Sequence, residues 1–165
     1  MLTINGYSGL VSPQSPRPCP LVKLSLSSDF KWAKDRIGAP RLLESELVGL
    51  IDTGADHCRI DNTLVQRHNL PKLPPVTSVN IGVPVRTDVT CAILYFPQCG
   101  FVDIETMPTG DFRRAGLGFD VIIGMTFLRL FDVHIRMKDN LVQLHFVGVR
   151  HSDARPSQPS PCQLG

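Results

Sequence analysis

The sequence lacks a charge excess of either sign and lacks a long apolar run. Its 165 residues contain 17 Lys and Arg against 15 Asp and Glu, which gives a formal net charge of +2. This balance argues against the basic surface typical of nucleic-acid-binding proteins, so we expect no nucleic-acid partner. No apolar run approaches the ~18 residues that a membrane span needs, and residues 1–10 show no secretory signal pattern. We therefore expect a cytoplasmic protein with no membrane partner.

The sequence also lacks closely paired cysteines. Its five cysteines are odd in number and scattered, whereas a disulfide framework needs an even set and a zinc site needs close pairs. We expect free thiols, no metal and no cofactor. A zinc or thiol hydrolase built on His57, Cys58, or the pair His134 and His145 is the weakest alternative. Neighbouring strand residues such as His57 and Cys58 point to opposite faces, and two histidines alone lack a third ligand.

Proline-rich ends flank a central domain. Residues 12–20 carry four prolines, and residues 156–161 repeat a Ser/Pro/Gln composition. Such segments bury too little apolar surface to offset the entropy of ordering them. We predict a flexible N-terminal segment over residues 1–20, one domain over residues 21–146, and a flexible tail over residues 147–165.

The central domain alternates apolar and polar residues in the manner of a β protein, with turn-forming residues at short intervals. Residues 76–81 and 83–89 are predicted to form the two arms of a hairpin. Asp61 is a helix N-cap residue, and it predicts a short helix over residues 62–69 that Pro71 ends.

The last hairpin has the clearest pattern. A two-residue turn at residues 139–140 places Ile135 opposite Leu144 and Val133 opposite Phe146. In this register the apolar side chains share one face and the polar side chains share the other, as in a sheet with one buried side.

Two segments carry the chemistry. Residues 50–56 read Leu-Ile-Asp-Thr-Gly-Ala-Asp, in which an apolar strand runs into a carboxylate, a hydroxyl and a glycine. A carboxylate at the end of a buried strand is costly unless it is hydrogen-bonded, paired or protonated. Asp-Thr-Gly alone is also an ordinary turn sequence. The second segment is Phe-Asp-Val-Ile-Ile-Gly at residues 119–124, another apolar strand that ends in glycine.

Together these motifs resemble the retropepsin-like (retroviral-type) aspartic proteases over residues 21–146. The resemblance implies an all-β fold, namely a closed acid-protease barrel with one or two short helices that forms half of a symmetric dimer. It also implies that the strand at residues 122–124 packs beneath the catalytic loop. A hairpin flap would close over the substrate, with its tip around Ile81 and Gly82.

The resemblance assigns Asp52 as the catalytic residue, with Thr53 and Gly54 as active-site support. The substrate-binding residues that it implies are Ala55, Asp56, Ile81, Gly82 and Ile122. Where the family often has an acid or an arginine after the Ile-Ile-Gly glycine, this chain has Met125 and Thr126. The resemblance therefore does not extend to a salt bridge from that position to Asp56.

Aspartic protease chemistry needs two carboxylates that share one proton, and the chain contains a single Asp-Thr-Gly. The second carboxylate must then be Asp52 of another copy, which predicts a C2 homodimer. We predict an aspartic endopeptidase whose substrate is an extended, largely hydrophobic peptide segment. The alternative is a non-catalytic dimeric retropepsin-like binding or scaffolding module, because the predicted flap tip has only one glycine. Its function would survive Asp52→Asn.

Overall fold

The computed structural model describes residues 2–80 and 83–148. Within these ranges the strands are β1 (Thr3–Asn5), β2 (Tyr7–Gly9), β3 (Cys19–Ser27), β4 (Leu42–Ile51), β5 (Arg59–Asp61), β6 (Lys72–Asn80), β7 (Val83–Phe96), β8 (Phe101–Gly110), β9 (Val121–Ile123), β10 (Phe131–Arg136) and β11 (Leu141–Phe146). The α-helices are α1 (Phe30–Asp35), α2 (Asn62–Arg67) and α3 (Met125–Leu128).

Six strands pair in a closed ring. β3 pairs with β4, β4 with β9, β9 with β5, β5 with β8, and β8 with β7, and β7 returns to pair with β3. β2 and β6 lie outside the ring, beside β3 and β7. The predicted all-β fold is confirmed, although the described ranges hold three short α-helices instead of one or two.

Two parallel strands of the ring position the motifs. β4 and β9 run side by side, with Leu50 opposite Ile122 and Ile51 opposite Ile123. Parallel strands present their carboxyl ends at the same edge of a sheet, so the residues after β4 and β9 become neighbours. The backbone N–H of Asp52 accordingly donates to the carbonyl of Ile123 at 3.1 Å.

The main core joins the ring to α2, α3 and the β10–β11 hairpin. Its fully buried side chains include Leu24, Ile60, Leu94, Phe127 and Leu144. Burial of each such side chain contributes roughly 1.5–3 kcal/mol. A cluster of phenylalanines at 96, 101, 127, 131 and 146 packs α3 against the final hairpin.

The N-terminal segment departs from the prediction. β1 pairs with β11, its Ile4 is fully buried, and β2 pairs with β3. The expectation of flexibility over residues 1–20 does not hold for residues 3–9, because β11 offers a partner that local composition does not reveal. Residues 149–165 lie outside the described ranges, so the C-terminal tail stays a prediction.

The two helix starts show what capping residues can reveal. Asp61 caps α2 as predicted, since its Oδ1 accepts the N–H of Thr63 at 2.8 Å. The helix ends at Arg67, before Asn69 adopts a left-handed φ of 47°. Asp29 caps α1 in the same way, but a six-residue helix is too short to show an apolar period, and the sequence analysis missed it.

The β6–β7 hairpin confirms both predicted arms, with Asn80 opposite Val83. Its predicted tip, Ile81 and Gly82, lies outside the described residues. β7 continues to Phe96 without a break. Among the described residues, no helix is long and apolar enough to span a membrane.

The last hairpin has a different register from the predicted one. Ile135 lies opposite Val142 and Val133 opposite Leu144, a shift of two residues. The connection uses four residues instead of two, because Met137–Asp139 form a 3-10 turn and Asn140 is left-handed with φ 53°. A shift of two preserves the faces, so the apolar side chains still point to one side.

Candidate active site

Asp52 lies in a tight turn directly after β4. Its side chain is half-buried, and the N–H of Gly54 donates to its Oδ1 at 2.9 Å. The N–H of Ala55 also donates to the Asp52 carbonyl at 3.2 Å. A Cβ at Gly54 would lie 3.3 Å from Oδ1, which is tight for a carbon contact. The turn therefore orients the carboxylate while leaving part of it open to solvent.

The start of α3 holds the other half of this turn. We call residues 52–58 the Asp52 loop. The N–H groups of Met125 and Thr126 donate to the carbonyls of Ala55 and Asp56 at 2.8 and 3.0 Å. A Cβ at Gly124 would lie 2.8 Å from the Ala55 carbonyl oxygen and would also overlap the carbonyl of His57. Only glycine permits this approach, which explains why the Ile-Ile-Gly element ends as it does.

Thr53 is exposed beside an open pocket of about 620 Å³. The residues that line the pocket with it are Met125, Leu128, Arg129, Phe131, Asp132, Val133 and His134. Thr53 and the exposed Met125 therefore present a surface next to Asp52.

The remaining predicted site residues are distributed along the same edge. The Asp56 side chain is exposed, and within the described ranges no ion pair reaches it. Ile122 is half-buried between Leu50 and Arg59 on the neighbouring strands. The structure thus gathers Asp52, Thr53, Gly54, Ala55 and Asp56 in one loop, with Ile122 in the strand beside it.

The contacts beneath the loop were not predicted from the sequence. Cys58 is fully buried, and its N–H donates to Thr126 Oγ1 at 3.2 Å. The same hydroxyl lies 3.5 Å from Cys58 Sγ and 3.4 Å from Glu105 Oε2. Burial, reinforced by the nearby Glu105, raises the pKa of Cys58 to about 12, so this thiol is not a nucleophile at neutral pH.

Asp103 and Glu105, which we call the acid pair, lie two residues apart on the same face of β8. Burial is the largest cause that raises the pKa of Glu105, to about 8, and the neighbouring Asp103 raises it further. Burial likewise raises the pKa of Asp103. The hydrogen bond between the two lowers the pKa of Asp103 and raises that of Glu105, so Glu105 holds the shared proton. The sequence signal that could have revealed this pair is the presence of two acids at alternate positions of an apolar strand, which places both on one face.

Asp120 is another buried carboxylate near the site, and both of its side-chain oxygens accept hydrogen bonds. It accepts the N–H of Val48 at 2.9 Å and two guanidinium bonds from Arg113 at 2.8 Å. Arg113 also donates its backbone N–H to Asp61 at 2.8 Å. These bonds tie the start of β9 to β4 and α2, which is a structural role.

Other candidate groups do not assemble a metal site. Among the described residues, no group of three or more His, Cys, Asp or Glu side chains is placed to hold a metal ion. The rings of His134 and His145 lie 5.2 Å apart, and His145 Nδ1 is 2.9 Å from Thr3 Oγ1. Among the described cysteines, 19, 58 and 99 are free thiols.

The solved structures to which the chain is similar include the following two. One is EIAV protease complexed with the inhibitor HBY-793, with 17% identity, 70% of this chain and 89% of that chain covered, and a TM-score of 0.47. The other is a retropepsin-like aspartic protease from Rickettsia conorii, with 13% identity, 87% of this chain and 93% of that chain covered, and a TM-score of 0.49. No protein-family model and no curated protein matches the chain. Fold similarity by itself does not transfer an activity.

Proposed function

We propose that this chain is an aspartic endopeptidase that works as a homodimer, with one Asp52 from each subunit. The observation that carries the proposal is the Asp52 turn. A partly exposed carboxylate receives the Gly54 N–H, and backbone bonds to β9 and α3 fix the loop around it. A preorganised carboxylate of this kind is suited to proton transfer at a bound substrate.

A single Asp52 cannot perform the reaction alone. Hydrolysis of a peptide bond requires one group to take a proton from the attacking water and another to hydrogen-bond the carbonyl oxygen. Two carboxyl groups about 3 Å apart share one proton, because both cannot ionise at that distance. The chain has no second Asp-Thr-Gly, so a two-fold axis that passes beside Asp52 supplies the partner carboxyl.

The proposed reaction then proceeds in two steps. The ionised Asp52 takes a proton from water as the water oxygen attacks the peptide carbonyl, and the protonated Asp52 of the other subunit gives its proton to the carbonyl oxygen, which forms the tetrahedral diol. Collapse of the diol breaks the C–N bond, the leaving amine takes the proton that came from the water, and a diol hydroxyl returns a proton to the second Asp52. The Gly54 N–H orients the carboxylate throughout, and the exposed Thr53 is available to contact its counterpart across the axis.

The β6–β7 hairpin supports a preference for apolar peptides. Val76, Val83 and Val85 share the hairpin face that continues into the buried Thr87 and Val89. These three valines form an exposed apolar stripe on that face. An extended peptide would pair through its main chain and place apolar side chains against the stripe. Specificity should therefore be broad for aliphatic residues near the cut.

The deciding experiment compares wild type with Asp52→Asn on a mixed peptide library between mildly acid and neutral pH. We expect cleavage to fall by about 10³-fold, since general acid–base groups contribute on this scale. Asp35→Asn is the matched control, because Asp35 is an exposed aspartate at the end of α1, and it should cleave like wild type. Chelators and thiol reagents should have no effect.

Three outcomes would contradict the proposal. Cleavage that survives Asp52→Asn would exclude the aspartic mechanism. Loss of cleavage on treatment with a chelator would favour a metal hydrolase. A folded dimer that binds peptides but cuts none, with binding unchanged in Asp52→Asn, would favour the non-catalytic module.

A further inference from the structure

The start of α3 contacts two regions at once, and Thr126 is the shared residue. Its backbone N–H holds the carbonyl of Asp56, and its hydroxyl accepts the N–H of Cys58. On its other side the same hydroxyl faces Glu105 Oε2 at 3.4 Å. The acid pair is therefore one side chain removed from the Asp52 loop.

Glu105 has few polar partners in this position. Its side chain is 7% exposed, and its neighbours are the Thr126 hydroxyl and the carboxyl of Asp103. A buried carboxyl in contact with another carboxyl is stable when one of the two carries a proton. In that state Glu105 donates to Asp103 and still offers Oε2 to Thr126. Ionisation would place a second negative charge against Asp103 in a site that excludes water.

We propose that Glu105, in its protonated form, is a positioning residue for the Asp52 loop that acts through the Thr126 hydroxyl, and that loss of its proton loosens the loop. The proposal rests on the endopeptidase function for its effect on activity, but the anchoring of the loop can be measured without a substrate. Relief of the repulsion between the two carboxylates requires Glu105 to move toward water. That movement withdraws it from Thr126, whose hydroxyl supports the Cys58 N–H. The Thr126 hydroxyl donates to Glu105 and by itself lowers the pKa of Glu105, but burial and Asp103 are the larger causes and they raise this pKa.

Few charged or titratable groups around Glu105 could also produce a pH-dependent loosening of the Asp52 loop. They are Asp103 on β8, Cys58 before β5, Arg129 after α3, and, facing Asp103, Arg36 after α1. The pKa of Cys58 is raised to about 12, so the thiol stays neutral while Glu105 titrates. Arginines remain charged throughout. A pH dependence that Glu105→Gln abolishes therefore reports the acid pair.

The expected sign of the stability effect follows from the proton count. The pKa of Glu105 rises from its ordinary 4.5 to about 8 on folding, mainly because of burial. Between these values the folded chain binds the proton and the unfolded chain has lost it. The contribution of Glu105 to stability is therefore present at low pH and is lost as the pH rises from 4.5 through 8.

The test uses the full chain with Glu105→Gln and Asp103→Asn as opposite perturbations. Hydrogen-exchange protection of the Asp52 loop should fall in wild type by up to about tenfold per pH unit as the pH rises toward 8, and it should level off above pH 8, as loss of one proton requires. Glu105→Gln removes the titrating group, so its protection should stay constant with pH. Asp103→Asn removes the neighbouring negative charge, so the fall should level off at a lower pH than in wild type.

Peptide cleavage supplies the second readout. Above pH 8, kcat/KM should decline more steeply in wild type than in Glu105→Gln, because wild type has one more group that must stay protonated. The two proteins should cleave equally at pH 6. If the wild-type loop keeps constant protection through pH 8, or if Glu105→Gln shows the wild-type pH dependence, the inference is wrong. If wild type cleaves no peptide at any pH, the endopeptidase proposal fails, and the exchange data still decide the anchoring role.

Discussion

The Asp52 loop and the acid pair both contact the start of α3, but they place their carboxyl groups in opposite environments. Asp52 is partly open to solvent and receives a backbone N–H from Gly54. Glu105 is buried, and its pKa is raised to about 8 because burial and Asp103 disfavour the anion. A carboxyl group takes its role from the donors and the water around it. This difference supports the proposals that the loop carries the reaction chemistry and that the acid pair positions the loop.

Gly124→Ala should have the largest effect on this arrangement, because the added side chain displaces the Asp52 loop directly. The new Cβ would lie 2.8 Å from the Ala55 carbonyl oxygen, so the loop must shift. A misplacement of about 1 Å at a reacting group can cost on the order of 10²-fold in rate. We expect that loss in kcat/KM. The matched control is Gly118→Ala, where the nearest atom would be 3.4 Å away, so this variant should cleave like wild type. An equal loss of kcat/KM in Gly118→Ala would contradict the explanation.

Mixing variant and wild-type subunits tests whether the Asp52 loop needs a second copy of the chain for cleavage. The acid pair should act within one subunit and should need no second copy. With a fourfold excess of Asp52→Asn subunits, a wild-type subunit meets a wild-type partner about one time in five. Cleavage per wild-type subunit, measured after exchange, should fall to about that fraction. An equal excess of Glu105→Gln subunits at pH 6 should not inhibit. Undiminished cleavage in the first mixture would show that one chain suffices.

Thr126→Val should give a smaller effect on both regions, since it removes the hydroxyl that joins them. The buried N–H of Cys58 would lose its acceptor, which costs about 1–3 kcal/mol. We expect that loss in denaturant unfolding, with a few-fold decrease in cleavage. Thr126→Ser keeps the hydroxyl and should retain most of the stability and activity. If valine were tolerated fully, Thr126 would not connect the acid pair to the loop.

The Asp52 turn of the candidate site could be predicted from the sequence because its residues are consecutive. Asp52, Thr53, Gly54, Ala55 and Asp56 form one local turn, and local turn chemistry depends on neighbouring residues. The partner strand was also recognisable, because its apolar residues end in a glycine. Parallel pairing then brings the two strand ends together.

The contact between the acid pair and Thr126 could not be predicted in this way. Glu105 and Thr126 are distant in sequence, and no local pattern indicates that they meet. The same holds for Ile4, which is buried because β1 pairs with β11 at the far end of the chain. In the last hairpin, the apolar alternation predicted the faces, but the 3-10 turn at Met137–Asp139 shifted the register by two.

The sequence by itself determined the β character of the chain, the faces of its last hairpin and the turn that presents Asp52. These features depend on residues within a few positions of each other, where backbone preferences and side-chain alternation act directly. Only the tertiary structure decided that the strands close into a ring, that β1 joins β11, and that Glu105 faces Thr126. Those contacts join distant residues, and they form because burial rewards the whole arrangement and not any single segment.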